Sequence, residues 1–154
     1  MRMTKYVIFK VNGVKLAIKA NHLVNIIKNV HSENVVDSEN LVSKMNIWGI
    51  SVSTINLHLL MQKNRPEKIN IMLTEIVTEN NKKEIIGITF DEICELVVLD
   101  DLLSYPFTFQ TPMNHSYKEV IINYEDEPLT ILNLSLLYKF CQRQYIFPPI
   151  YLAN

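Results

Sequence analysis

Residues Asn46–Leu60 read NIWGISVSTINLHLL, and the last six of them, INLHLL, return as LNLSLL at Leu132–Leu137. In both phrases an Asn follows an apolar residue and precedes Leu. A short polar side chain at the end of an apolar strand can bond nearby backbone groups and turn the chain. Asn56 and Asn133 are therefore expected to be structural. The second phrase lies 77 positions after the first, Ile55 to Leu132. A second pair of segments matches at a similar offset. LAIKANHLVNII (Leu16–Ile27) falls on GITFDEICELVV (Gly87–Val98), with Ile18 over Ile88 and Asn21 over Asp91, a shift of 70. Each half then spells strand, turn, strand, capped turn, loop, strand and the Asn-Leu phrase. Two such units are too few for a solenoid. They fit a pair of similar small β subdomains that gain by sharing apolar surface.

Working outward, Tyr6–Asn12 is β-branched and aromatic, and Asn12-Gly13 supplies residues that tolerate positive φ in a tight hairpin. Val14–Lys19 alternates and is the return strand. Asn21 is placed to cap a short helix, HLVNIIK, in which Leu23, Ile26 and Ile27 share a face. Met45–Trp48 and Ile50–Ile55 read as strands around a turn, with Leu57–Leu60 turning inward. Ile69–Thr78 and Ile85–Phe90 are strands around ENNKK, and Asp91 is placed to cap a second short turn, EICELV. Leu99–His115 is irregular. Tyr117–Tyr124 and Leu129–Leu132 are strands joined by EDEP, and a helical turn covers Leu134–Phe140. Short strands at near-even spacing predict antiparallel β-barrels or a sandwich. The expected organisation is one domain over 1–154, with interlocked halves near 1–65 and 66–140 and a Pro-containing apolar tail over 141–154.

Composition narrows the function classes. The chain has 154 residues, 48% of them hydrophobic, so it can bury a real core. The formal net charge is −1 and no basic stripe appears, which argues against nucleic acid as a partner. The start, MRMTKYVIFKVNG, is too short and too interrupted for a leader or a membrane span. A cytoplasmic protein with no direct membrane insertion is expected. Cys94 and Cys141 form no Cys-x-x-Cys pair and read as buried small apolar residues. With three glycines in all, none clustered, a phosphate-cradling loop is excluded.

The order of these pieces resembles the CheW-like coupling proteins of bacterial chemotaxis. The residues that carry the likeness are VIFKVNGVKLAIKANHLVNIIK; NIWGISVSTINL, with Asn46, Gly49 and Leu57 in register; GITFD, with Asp91; and ILNLSLL. It spans roughly Tyr6 to Leu137. The resemblance implies a mainly β, CheW-like fold of two pseudo-repeated five-stranded barrels with short helices. It also implies a non-enzymatic adaptor without cofactor. Its partners would be the regulatory domain of a CheA-type histidine kinase and the cytoplasmic tip of a chemoreceptor, the latter in the groove between barrels. Trp48 stands where the family has Arg, Asn25 where Glu is common, Ser53 for Pro, Ser43 for Gly, and Asn56 and Asn133 for Asp. Exchanging Arg for Trp removes a charge and a fork of donors and adds a large apolar plate. The partner-binding residues implied are Asn46, Trp48, Gly49 and Asn25, together with apolar strand edges. The competing class is a small β-barrel binding module outside chemotaxis, for single-stranded nucleic acid or another protein.

Signals for chemistry are weak. His22, His31, His58 and His115 are scattered, with no pair at metal-ligand spacing. Ser51 and Ser53 lie on a strand, away from any nucleophile elbow. Asp91, Glu92, Glu95, Asp100 and Asp101 lack the spacing of a calcium loop and read as a cap plus a solvated face. Met45 and Met72 read as core. Trp48 has two readings: a core residue beside a turn, or an exposed anchor for a protein partner.

Overall fold

The structure is a computed structural model that describes residues 3–31, 40–61, 67–100 and 118–146. The described residues form ten strands and two α-helices: β1 (Met3–Val11), β2 (Val14–Lys19), β3 (Leu23–His31), β4 (Val42–Ile47), β5 (Ile50–Ile55), α1 (Leu57–Leu60), β6 (Lys68–Val77), β7 (Lys83–Phe90), β8 (Glu92–Asp100), β9 (Lys118–Tyr124), β10 (Glu127–Leu132) and α2 (Leu134–Ile146). The linker expected over Gln62–Glu67, most of the irregular stretch Leu99–His115 and the tail after Ile146 lie largely outside the described residues.

The strands form two five-stranded sheets, ordered β8-β1-β2-β10-β9 and β3-β6-β7-β5-β4. Exchanging the halves (β1 for β6, β2 for β7, β3 for β8, β4 for β9, β5 for β10) converts one order into the other. The registers exchange as well. In the first sheet β10 runs parallel to β2 with Thr130 opposite Leu16 and Ile131 opposite Ala17. In the second, β5 runs parallel to β7 with Ser53 opposite Ile86 and Thr54 opposite Gly87. These are the same pairs under the shifts of 77 and 70. Each sheet thus takes a hairpin from one half and three strands from the other.

Three apolar clusters explain why two small sheets suffice. Met45, Ile47 and Val52 pack with Ile69, Ile71 and Leu73, and with Ile27 and Val30 of β3. Both edge strands of the second sheet contribute to that cluster, so the sheet curls around it. The first sheet encloses Tyr6, Ile8, Ala17, Leu129 and Ile131, with Val97, Leu99 and Tyr124 against them. The opposite faces meet in a larger shared core: Val7, Phe9, Val11, Leu16 and Ile18 on one side, Met72, Ile76, Ile86, Ile88 and Phe90 on the other. Phe9 and Phe90 meet edge to face there, with ring centroids 6.1 Å apart. Each side chain fully buried in this layer contributes about 1.5–3 kcal/mol relative to exposure. α2 seals it with Leu134, Leu137, Tyr138 and Cys141, the spacing of one helix face. Burial pushes the Cys141 thiol up to about 12.

The Asn-Leu phrases act as expected. Asn56 Oδ1 accepts the Leu59 N–H at 3.1 Å, and Asn133 Oδ1 accepts the Leu136 N–H at 3.1 Å. Each ends a strand and starts a helix. Met45 and Met72 are core. Two expected helical segments are strands instead. HLVNIIK becomes β3 after a 3-10 turn at Ala20–His22, in which Asn21 makes no cap, and EICELV becomes β8. The reason is bulging. Between Leu23 and Asn25 the partner strand advances one residue, leaving Val24 extra, and between Ile93 and Glu95 Cys94 is extra in the same way. An inserted residue breaks the period of two and leaves apolar residues at helix-like spacing. Val24 and Cys94 are equivalent under the shift of 70, so the bulge itself is repeated. Cys94 is exposed, contrary to the expected burial, because the bulge turns it outward on an edge strand. α2 continues past the expected Phe140 to Ile146.

Candidate functional site

Trp48 and Gly49 join β4 to β5 as a two-residue turn, with φ of 52° and 79°. Both central residues are left-handed, which matches the twist of the flanking strands but suits Asn-Gly or Gly-Gly. A bulky side chain in that region costs roughly 1–2 kcal/mol. Trp48 is nonetheless 72% exposed, and Ile50 beside it 65% exposed. Of the two sequence readings of Trp48, the core one is excluded. Met45 and Ile47 point into the second sheet's core, and the alternation turns Asn46 outward. Asn46, Trp48 and Gly49 therefore share one hairpin end. Asn25 lies on β3, the opposite edge strand of the same sheet, exposed, with its Oδ1 accepting the Ile26 N–H at 2.8 Å. The hydrogen-bonded ladder does not bring it beside the tip.

The equivalent tip of the first sheet is built from different chemistry. The shift of 77 carries Trp48-Gly49 onto Glu125-Asp126, and this turn is also left-handed twice, at 51° and 63°. Glu125, Asp126 and Glu127 are all exposed. Glu127 pairs with Lys15 at 3.1 Å, and the Tyr124 hydroxyl donates to Glu95 at 3.0 Å. Desolvation, then the hydrogen bond to Glu95, push the Tyr124 phenol up to about 12.

A second apolar surface lies on β8, an edge strand paired only with β1 among the described residues. Leu96 is 62% exposed and Val98 53%. They lie opposite Val7 and Lys5, on the face that carries the shared core. The sequence reading named apolar strand edges in general but missed this one, because it took β8 for a helical turn.

The third feature is polar and buried. His58 of α1 is 0% exposed. Its Nδ1 lies 3.0 Å from Thr89 Oγ1 and its Nε2 2.7 Å from Asp91 Oδ1. Thr89 Oγ1 also accepts the Leu57 N–H at 2.9 Å. The arrangement that satisfies every group has the Thr89 hydroxyl donating to Nδ1 and Nε2–H donating to Asp91. Asp91 Oδ2 accepts the Asn12 N–H at 2.7 Å, its N–H donates to Lys10 O at 2.9 Å, and its own carbonyl accepts from Asn70 Nδ2 at 2.6 Å. Hydroxyl, imidazole and carboxylate occur in the order of a hydrolase triad. Thr89 and His58 are sealed from solvent, and the hydroxyl oxygen is already engaged by backbone, so no substrate reaches it. The constellation anchors a helix. Asp91, expected as a helix cap, is a junction instead. Sequence spacing could not pair residues 33 positions apart. The available signal was the repeat, in which His58 replaces Ser135 and Asp91 replaces Asn21.

Among the described residues no group of three or more His, Cys, Asp or Glu is placed to hold a metal ion, and no helix is long and apolar enough to cross a membrane. The open cleft between α2 and the β6–β7 turn is lined by Lys139, paired with Glu79, and by the Tyr138 hydroxyl, which donates to Glu84.

No protein-family model matches the chain, and no curated protein matches it. The fold does recur among solved structures. The scaffolding protein TtCheW from Thermoanaerobacter tengcongensis matches with a TM-score of 0.70 over 90% of this chain and 94% of that one, at 17% identity. The fold is therefore CheW-like, as the ordered sequence pieces implied.

Proposed function

We propose that this protein is a non-enzymatic chemotaxis adaptor that couples chemoreceptors to a CheA-type histidine kinase. The observation that carries the reading is Trp48. Its indole stands on a left-handed residue and is left largely in water. Trp is enriched among the few residues that dominate protein interfaces, and the tip with Asn46, Gly49 and Ile50 offers it with an apolar neighbour. The CheW-like architecture supports the reading, because a rigid pair of barrels presents several separate surfaces. Asn25 on β3 and the Leu96–Val98 strip on β8 serve the second partner. Two partners on one rigid body influence each other through differential contacts, without chemistry. The protein then works in the cytoplasm beside a receptor's membrane-distal tip.

The test is sedimentation of the chain with a CheA-type regulatory domain and a chemoreceptor cytoplasmic fragment, singly and together. A ternary complex is expected. Trp48→Arg should weaken one binary affinity by roughly tenfold or more, the scale of an interface anchor, and leave the melting temperature almost unchanged. A large fall in melting temperature on that substitution, or no complex with either fragment, contradicts the reading.

A further inference from the structure

Among the described residues the His58–Asp91 bridge has no counterpart in the other half. Ser135, which stands where the repeat has His58, donates only to the Val77 carbonyl, at 3.2 Å. Asn21, which stands where the repeat has Asp91, lies in the 3-10 turn and makes no cap. The fold accordingly does not require the bridge. Stability alone is a weak reason for it, since a buried polar network must overcome desolvation that an apolar replacement avoids.

Its position is informative. Asp91 is the single residue between β7 of the second sheet and β8 of the first. It bonds Lys10 and Asn12 of the β1–β2 hairpin on one side, and His58 and Asn70 on the other. Asn70 in turn accepts the Asn29 N–H of β3 at 3.0 Å. His58 follows β5, the strand that leaves the Trp48 tip, and Asp91 roots β8, the strand that carries Leu96 and Val98. One node thus touches both barrels and the strands beneath both exposed apolar surfaces. Apolar packing is not directional, whereas the bonds at this node fix an angle.

We propose that His58 and Asp91 are positioning residues that lock the orientation of the two barrels and thereby couple the Trp48 surface to the β8 surface. The coupling part rests on the adaptor reading. The locking part does not.

Two variants, His58→Gln and Asp91→Asn, keep volume and polarity while disturbing the bridge, and a melt establishes that each still folds. Residual dipolar couplings from the backbone amides of the two sheets give the first readout. The unmodified chain should fit one alignment tensor, and each folded variant should need two that differ. A single shared tensor in both variants overturns the lock. The second readout is titration with a CheA-type regulatory domain, with and without a receptor fragment. In the unmodified chain the receptor fragment should change the kinase-domain affinity by roughly fivefold or more, the lower end of measured coupling. In the variants that factor should approach one while each separate affinity stays within about twofold, a scale below any coupling of interest. Coupling that survives in both variants overturns the proposal. Failure of either fragment to bind the unmodified chain refutes the adaptor reading and the coupling with it, and the dipolar couplings still decide the lock.

Discussion

The two hairpin tips, Trp48-Gly49 and Glu125-Asp126, occupy equivalent places in equivalent sheets and share a backbone conformation. One is aromatic and apolar, and the other is acidic. The acidic tip shows the same turn built from exposed charged residues. The aromatic tip departs from that in the direction of a protein contact, and it does so where the backbone is least comfortable for a large side chain. Pseudo-symmetry therefore supplies an internal control: what both halves keep belongs to the fold, and what one half changes is a candidate for function. The same reasoning marks His58 against Ser135 and Asp91 against Asn21.

The largest expected effect on the shared frame is at the parallel junctions. Ala17 sits opposite Ile131, whereas its mate Gly87 sits opposite Thr54. A Cβ on Gly87 would lie 2.8 Å from Thr54 Oγ1 and 3.1 Å from Ile71 Cγ2, both buried. Gly87→Ala should cost about 1–3 kcal/mol through overpacking. Urea denaturation measures it, and an unchanged midpoint would show that Thr54 and Ile71 yield to the added methyl without cost.

Smaller effects separate the tips themselves. Trp48→Asn gives the favoured Asn-Gly turn and should stabilise the chain by about 1 kcal/mol, read as a higher denaturation midpoint. Asp126→Gly should stabilise by a similar amount, about 0.5–1 kcal/mol, with no change in partner affinity. If that substitution weakened partner binding instead, the assignment of the tips would be reversed.

The smallest effect is a pH dependence. The Tyr124 phenol is raised in the folded chain from 10 to about 12. A raised folded value means that the folded state holds its proton longer. This contribution to stability is complete below about pH 10 and is lost as pH rises through about 12. Alkaline melts should show a steeper loss for the unmodified chain than for Tyr124→Phe. Parallel curves would show that folding does not raise the Tyr124 phenol.

Much of this architecture was legible in the sequence because repetition is independent of local propensity. The Asn-Leu phrases marked both strand-to-helix turns, and Asn12-Gly13 marked its hairpin. β3 and β8 were misread because bulges at Val24 and Cys94 shift the alternation. A pattern reader sees Leu23, Ile26 and Ile27 at helical spacing and cannot see the extra residue that produced it. Trp48 was legible as conspicuous but not as exposed, since burial of a turn residue depends on what the rest of the chain packs against it. The His58–Asp91 bridge was invisible for a related reason: it joins residues that only the tertiary fold brings within 2.7 Å.

The most direct test of the central claim is calorimetric titration of a CheA-type regulatory domain and of a receptor fragment into the unmodified chain and Trp48→Asn. The variant, although more stable, should bind one of them at least about 30-fold more weakly, the loss of about 2 kcal/mol expected at an interface anchor. Unchanged affinity for both ligands in a variant of raised stability would contradict it.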